Sequence, residues 1–392
     1  MLLQFPQNFF WGTSTAAAQI ETASEHTFKG LRALDGHIFD RTSDHELRRE
    51  EDIQHIRRFG TVYRCSVDWA RLQTEPYGSF HQDVVVEYRS FFQKLTEGGT
   101  NIMFVLHHFA HPKWFEEKGG WLYEENAGFF IDFVKKCIFH FGKYVSYWNT
   151  FNEPNVYAMN AYFLGVFPPH RKSLSKANEV LKNMKVAHNT AYTMLKVHDK
   201  SKPVGISLNT ASMKGINLLG YPVAKLADYW FNKWSASLFE KVDFWGLSYY
   251  AQVLFDPRPI SEIHRPGKLE KMGLPHDKMW AYNPEEFGKI LRRFHRKYNK
   301  PIIITENGVC TEDDAVRIQA IKDYLEVIHE VIRDNVPVIG YIHWTTFDNF
   351  EWNLGPTYRF GLLRLDFTTK DRLNTEGADF YEKVAKENAV EV

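Results

Sequence analysis

The chain has 392 residues, and its 48 lysine and arginine residues balance 48 aspartate and glutamate residues, so the formal net charge is zero. Hydrophobic residues make up 44% and charged residues 24%, values that exclude disordered, collagen-like and coiled-coil chains. The balanced charge gives no nonspecific attraction to nucleic acid or anionic lipid, so we expect no nucleic acid and no membrane as partners. The sequence has neither a basic leader nor an apolar run long enough to span a membrane, and it predicts a cytoplasmic protein.

Two features of the composition need interpretation. The cysteines Cys65, Cys137 and Cys310 are too few and too scattered for a disulfide framework and lack metal-ligand spacing, so we expect buried thiols. Aromatic residues make up 16% of the chain. They indicate either a large core filled with rings or, in addition, a cleft with indole walls that can stack on flat ligand faces.

Short β-branched or aromatic runs recur along the chain, each separated from the next by a helical pattern. Eight such runs begin near Phe10, Val62, Ile102, Val145, Val204, Val242, Ile302 and Val338. Each interval can hold a crossover helix and a loop, and no low-complexity linker divides the chain. The sequence therefore predicts an α/β fold, a single (β/α)8 TIM barrel that occupies residues 1–392 as one domain.

Three crossover helices show start signals. Asp83 precedes an apolar face and a Gly-Gly stop, and Asn283-Pro284 opens a second helix with two glutamates in its first turn. Thr311, followed by three acidic residues, predicts the start of a third.

Chemistry in a parallel barrel gathers where the strands end, and two predicted strands end in a glutamate. Glu153 follows the fourth strand and Glu306 follows the seventh. Taken alone, Glu153 could cap a helix at Pro154, and Glu306 could form a local salt bridge. Two glutamates on strands that face each other across a barrel mouth favour a catalytic pair.

Two carboxylates that flank a small pocket are the groups that cleavage of a glycosidic bond requires. One must be protonated to donate to the leaving oxygen, and the other must be ionised. Arg64 at the end of the second strand and Tyr250 after the sixth could hold one carboxylate anionic. Alone, Arg64 would be better read as a structural ion pair.

At this point the sequence resembles glycoside hydrolase family 1, the β-glucosidase and β-galactosidase family. The resemblance extends from about residue 5 to 367 and rests on several motifs in order. These are residues 9–21, residues 63–71, Thr-Phe-Asn-Glu-Pro at 150–154, Ile-Thr-Glu-Asn-Gly at 304–308, and residues 347–352 with 359–362.

The resemblance implies roles for the matching positions. Glu306 would be the nucleophile and Glu153 the acid and later the base of a retaining double displacement, with carboxyls about 5 to 5.5 Å apart. Arg64 would support the nucleophile. The residues expected to bind the substrate are Gln19, His108, Asn152, Tyr250, Trp280, Trp344, Glu351 and Trp352. Asn152 would bind the sugar 2-hydroxyl, Trp344 would stack under the non-reducing sugar, and Trp280 would support the aglycone.

Three histidines close together, His107, His108 and His111, raise the question of a metal. Adjacent strand residues point to opposite sides, so we expect no shared ion. We likewise expect no cofactor. The sequence departs from the family at Ser248, where an asparagine is usual, and at Ala110 and His343. The stretches 22–51 and after Tyr250 are short for the family, which suggests a wider aglycone entrance.

Three functions remain open at this stage. The first is a retaining exo-β-glycosidase that acts on a small β-glycoside or an oligosaccharide. The second is a 6-phospho-β-glycosidase, which is disfavoured because Glu351 would repel a phosphate. The third is a catalytically silent sugar-binding protein on the same fold, although both glutamates are present. The sequence leaves open the choice among glucose, galactose and fucose, and the oligomeric state.

Overall fold

Eight parallel strands form the centre of the molecule. The structure is a computed structural model, and it describes residues 1–256, 258 and 266–392. Its strands are β1 Leu2–Gln4, β2 Phe10–Ser14, β3 Val62–Ser66, β4 Asn101–His107, β5 Val145–Asn152, β6 Val204–Gly215, β7 Phe244–Phe255, β8 Ile302–Asn307, β9 Val338–Trp344, β10 Arg364–Leu365, β11 Arg372–Leu373 and β12 Ala389–Glu391. Strands β2 to β9 close into a barrel in chain order, which confirms the predicted (β/α)8 fold. Strand β1 pairs antiparallel with β12, and β10 with β11.

Helices surround the barrel. The α-helices are Ala17–Ile20, Arg49–Arg58, Trp69–Leu72, Gln82–Glu97, Lys113–Glu117, Ala127–Phe141, Pro154–Ala158, Leu174–His198, Gly220–Asp228, Ser235–Ser237, Pro266–Lys271, Pro284–Tyr298, Asp314–Arg333 and Glu376–Glu387. Short 3-10 turns occupy His45–Leu47, Gly120–Leu122, Glu124–Asn126 and Gly142–Tyr144, and π-helical turns occupy Met159–Phe163 and Tyr229–Trp234. Among the described residues, no helix is both long and apolar enough to cross a membrane.

Most predicted element starts agree with the structure, and the exceptions have local causes. Strand β4 begins one residue early at Asn101, and β7 begins at Phe244 because Val242 N bonds to Glu240 O in a turn. The helix after Asn283 begins as predicted, because the Asn283 side chain accepts from Glu286 N.

The other two helix starts were predicted at the wrong residue. One helix begins at Gln82, before Asp83. The third predicted helix begins at Asp314 and is capped by Asp313. Thr311 is not the cap, because its hydroxyl accepts from Asp313 N in a turn outside the helix.

The barrel interior changes from apolar to polar along the strands. A separate apolar cluster fills the lower part of the barrel, built from Val62, Met103, Phe244, Ile303 and Ile342. Two residues further along β3, on the same face as Val62, stands Arg64, which is fully buried. The packed lower layer therefore forms a floor, and the polar groups gather at the carboxyl ends of the strands, which we call the mouth.

Register irregularities occur where candidate residues stand. The pairing shifts between Asn149 and Asn152 on β5, between Leu247 and Ser248 on β7, and between Ile304 and Asn307 on β8. Such irregularities re-aim side chains next to functional sites. Elsewhere in the fold, the three cysteines are buried and free, as expected.

Candidate active site

Glu306 lies near the end of β8, buried at the mouth. Arg64 Nη1 donates to its Oε1 at 2.5 Å, and Tyr250 Oη donates to its Oε2 at 2.8 Å. Burial raises the pKa of Glu306, whereas Arg64 and Tyr250 act to lower it. A cation and a hydroxyl donor therefore stabilise the ionised form of this carboxyl.

Arg64 on β3 hydrogen-bonds residues of four other strands at the mouth. Besides Glu306, its guanidinium donates to Ser14 Oγ at 3.1 Å, Asn152 Oδ1 at 2.5 Å and Ser207 Oγ at 3.1 Å. A planar, permanently charged group with several donors holds these acceptors in fixed geometry. These hydrogen bonds therefore hold the guanidinium charge in one position beside Glu306.

Glu153 follows β5 directly and lies buried at the same mouth. Its φ of +43° is in the left-handed region, and its backbone N–H donates to Ser207 O at 2.8 Å. Asn209 Nδ2 donates to its Oε1 at 2.8 Å. A strained backbone conformation held by a neighbouring strand is a feature that functional sites often show.

Burial, and then repulsion by Glu306, raises the pKa of Glu153 to about 8. The hydrogen bond from Asn209 acts in the opposite direction but is weaker. Near neutral pH, Glu153 therefore carries a proton while Glu306 has the cationic partner. Two carboxyls with such unequal partners can divide the roles of acid and base.

A second polar group lies beside the pair. His108 Nε2 accepts from Asn152 Nδ2 at 2.9 Å and lies 3.9 Å from Glu306 Oε1. Burial and the charge of Arg64 lower the pKa of His108 well below its usual value, so it is neutral. Asn152 is thus positioned from two sides, by Arg64 and by His108.

A polar wall near Glu306 is built by Gln19 and the C-terminal part of the chain. Gln19 Nε2 donates to Asn349 Oδ1 at 3.1 Å, Phe350 O at 3.0 Å and Glu351 Oε2 at 3.2 Å. Burial raises the pKa of Glu351 to about 8, against hydrogen bonds from Gln19 and Trp344. The wall combines a largely protonated carboxyl with amide groups, and hydroxyl-rich ligands need such a mixture of donors and acceptors.

The aromatic rings predicted to bind sugar occupy two places. Trp344 ends β9 and lies 5.7 Å from the His108 ring, while the Trp352 ring lies 5.8 Å from it on another side. Trp352 also packs against Phe28 at 4.8 Å. Both indoles are buried and join the core, which agrees with the interpretation of a core rich in rings, and their lining of a sugar-binding cleft stays a prediction.

Trp280 stands on a different segment from the other candidates. Asp277 organises this segment, since its carboxylate accepts from the N–H groups of Met279 at 2.7 Å, Trp280 at 2.8 Å and Cys310 at 2.9 Å. The Trp280 side chain is partly exposed. The bond to Cys310 N ties this segment to the chain just after β8.

His107 and His108 point in different directions, as strand geometry predicts, while His107 and His111 lie side by side. His107 Nε2 lies 3.3 Å from His111 Nδ1 and 3.3 Å from Trp121 Nε1, whereas His108 contacts Asn152. Within the described ranges, no group of three or more potential ligands could hold a metal ion.

Sequence reasoning missed three residues that hydrogen-bond Arg64 or Glu153. The missed residues are Ser14, Ser207 and Asn209. Ser14 ends β2, so the rule that selected Glu153 and Glu306 could have selected it, whereas Ser207 and Asn209 lie within the long strand β6 and no such signal marks them. Part of the shortened stretch after Tyr250, residues 257 and 259–265, lies outside the described residues.

A closed parallel barrel whose mouth holds two buried, unequally partnered carboxyls defines a glycoside hydrolase architecture. Comparison with known proteins agrees. The model of glycosyl hydrolase family 1 matches residues 1–218 and 231–390. The chain belongs to glycosyl hydrolase family 1 and is a glycoside hydrolase.

Similar proteins extend over nearly the whole chain. "Beta-glucosidase A" of Acetivibrio thermocellus is 29% identical, over 98% of this chain and 99% of its own length. That alignment extends over 443 positions, so the relative carries insertions that this chain lacks. "Galactolipid galactosyltransferase SFR2" of Arabidopsis thaliana is 29% identical over 78% of this chain and 51% of its own length.

Solved structures show the same architecture. A β-glycosidase from Pyrococcus horikoshii has a TM-score of 0.88 and 29% identity, covering 100% of this chain and 97% of its own. A β-glucosidase from Thermotoga maritima in complex with deoxynojirimycin has a TM-score of 0.89 and 26% identity, covering 99% of this chain and 100% of its own.

Proposed function

We propose that the protein is a retaining exo-β-glycosidase that hydrolyses a non-reducing terminal β-D-glycosyl residue, with β-glucosides as the first substrate class. β-Galactosides and β-fucosides are further candidates. The observation that carries this proposal is the difference between the two carboxyls. Glu306 accepts from a guanidinium and a phenol, whereas Glu153 has an amide donor and a pKa raised to about 8.

Two displacements follow from this arrangement. The Glu306 carboxylate attacks the anomeric carbon as the glycosidic bond breaks, and the Glu153 proton passes to the leaving oxygen. Glu153, now ionised, takes a proton from water as that water cleaves the glycosyl–Glu306 ester. Asn152, held by Arg64 and His108, is proposed to bind the sugar 2-hydroxyl.

The sugar-binding residues are proposed to act on a neutral sugar. The hydrogen bonds to the Glu351 carboxyl come from Gln19 and Trp344, which are neutral groups. This supports an unphosphorylated glycon. However, because burial raises the pKa of Glu351 to about 8, charge repulsion alone does not exclude a 6-phosphoglycoside.

The test is hydrolysis of aryl β-glucoside, β-galactoside, β-fucoside and 6-phospho-β-glucoside by the wild type and by Glu306→Ala. We expect turnover of an unphosphorylated glycoside and a loss on the order of 10⁶-fold in the variant, because the covalent step has no nucleophile. Azide should rescue the variant with formation of the α-glycosyl azide. One relative is named a galactolipid galactosyltransferase, so acceptors other than water belong in the same assay.

The alternatives give different outcomes in this assay. Turnover of only the phosphorylated substrate would establish the 6-phospho-β-glycosidase. Sugar binding by the wild type without turnover of any substrate would establish the silent binding protein. Rescue that yields the β-glycosyl azide would exclude a nucleophilic Glu306.

A further inference from the structure

The mouth of the barrel is bordered by two segments with unusually apolar surfaces. The β6 rim, residues 214–233, follows β6 and contains the helix Gly220–Asp228. Its exposed large apolar side chains are Leu218, Leu219, Tyr221, Val223, Leu226 and Tyr229. Leu218 is 90% exposed, and the helix buries little more than Gly220 and Ala224. A surface helix normally turns its apolar side chains to the core, whereas this helix exposes most of its large apolar side chains to solvent.

The neighbouring segment has the same character. The β5 rim, residues 154–178, follows β5 and exposes Phe163, Leu164, Val166 and Leu174. The two rims touch, because Trp230 Nε1 donates to Asn178 Oδ1 at 2.7 Å and Asn155 Nδ2 donates to Phe231 O at 3.2 Å. Exposed apolar side chains that gather in adjacent segments mark an interaction surface.

The charged side chains of the two rims are predominantly positive. Their lysine and arginine residues are Arg171, Lys172, Lys176, Lys214, Lys225 and Lys233, and all are exposed. Their only acidic residue is Asp228. Its carboxylate is already paired with Lys233 at 2.7 Å and Arg293 at 3.2 Å. In a chain of zero net charge, this is a local excess of positive charge around an apolar surface.

We propose that the β5 and β6 rims dock the enzyme on an anionic lipid bilayer. Exposed leucines insert at the acyl boundary, tyrosines lie at the headgroups, and lysine and arginine side chains attract anionic lipid. Lys225 lies 4.6 Å from the ring of Tyr221, so its charge stays beside the apolar side chains. A second copy is a poorer occupant, because a two-fold contact would set these cations against each other.

The test is flotation of the enzyme with vesicles of phosphatidylcholine alone or with one third phosphatidylglycerol, at low and high salt. The wild type should float with the anionic vesicles at low salt and lose binding at high salt. Leu218→Ser/Leu219→Ser should lower the partition coefficient at least about tenfold, because it removes apolar burial. Arg171→Ser/Lys172→Ser should lower it about thirty-fold, since each cation near such a surface contributes a factor of about five.

Matched controls come from the opposite end of the barrel. Phe139 and Val197 are 76% and 80% exposed near the C-terminal ends of Ala127–Phe141 and Leu174–His198, and Lys143 and Lys200 are exposed just after the same two helices. Phe139→Ser/Val197→Ser and Lys143→Ser/Lys200→Ser should bind vesicles like the wild type. All four variants should hydrolyse a small aryl glycoside at the wild-type rate.

Three results would overturn docking: no flotation of the wild type, equal losses in rim and control variants, or self-association in sedimentation that Leu218→Ser/Leu219→Ser abolishes. The last would make the rims an interface between copies. A docked enzyme would draw glycosides from the bilayer surface, a consequence that rests on the proposed function. Flotation requires no activity, so failure of docking and failure of the proposed function are distinguishable.

Discussion

Glu153 and Glu306 lie at the same mouth and are both buried, yet their surroundings differ in one respect. Glu306 accepts from a buried guanidinium and a phenol, whereas Glu153 accepts from the amide of Asn209 on β6. Burial raises the pKa of both, so depth alone does not distinguish the two carboxyls. The donors therefore assign the roles, and variants that remove single donors test this assignment.

After Glu306→Ala, the largest effect is expected from Glu153→Ala. Without the acid, glycosides with poor leaving groups should lose about 10²- to 10⁴-fold in kcat/KM. A dinitrophenyl glycoside needs little protonation of its leaving oxygen and should lose far less in kcat/KM. The measurement is kcat/KM across aryl leaving groups of different acidity. A uniform loss over the series would contradict the role of Glu153 as acid.

Arg64→Met removes the charge that distinguishes Glu306. We expect kcat to fall about 10²- to 10³-fold, comparable to the loss of one preorganised electrostatic partner. The pKa of Glu306 should rise, so the variant should lose more of its stability at pH 8, where Glu306 must ionise without its partner, than at pH 5.

Urea unfolding of Arg64→Met at pH 5 and pH 8 measures whether the loss of unfolding free energy is larger at pH 8. Removal of one member of a buried pair costs roughly 3 to 5 kcal/mol of unfolding free energy when the other stays charged. Arg372→Met is a matched control, because Arg372 pairs with Asp52 in another buried site. It should lower stability without loss of kcat in the folded fraction. Equal kcat losses in both variants would mean that Arg64 is only structural.

The sequence predicted the barrel and its strands because each strand must present a continuous apolar run to two layers. It also predicted the family, because Glu153 and Glu306 stand in recognisable motifs at strand ends. That residues 1–392 form one domain and that the protein is cytoplasmic stay predictions. The donor to Glu153 was missed because Asn209 belongs to no motif and gains significance only through the barrel register that brings β6 beside β5.

The expectation drawn from net charge concerns the surface as a whole. A sum of zero predicted no attraction to anionic lipid, but the sum carries no information about where charges lie. Arg171 and Lys225 are far apart in sequence, and only the contact between the two rims places their segments side by side. The absence of a membrane partner therefore stays a prediction, and the flotation experiment decides between it and the proposed docking surface.

Tyr250→Phe tests how the Tyr250 hydroxyl affects the pKa of Glu306. The Tyr250 hydroxyl donates to the carboxylate and favours its ionised form, so its removal raises the pKa of Glu306. Activity requires ionised Glu306, and the acid limb of kcat/KM against pH should therefore move upward by about one pH unit, since a hydrogen bond to a charged group contributes about 1.5 to 3 kcal/mol. The alkaline limb, which reports Glu153, should stay in place.

Asn209→Ala makes the corresponding change at Glu153 and has the smallest expected effect. The amide donates to Glu153 Oε1 and lowers the pKa of Glu153, so its loss raises that pKa further. Activity requires protonated Glu153, so the alkaline limb should move to higher pH by roughly half a pH unit, while the acid limb stays in place. If Tyr250→Phe moves only the acid limb and Asn209→Ala only the alkaline limb, each carboxyl is tuned by its own donor. If either variant moves both limbs equally, the two carboxyls titrate as one coupled pair, and single donors do not assign the roles.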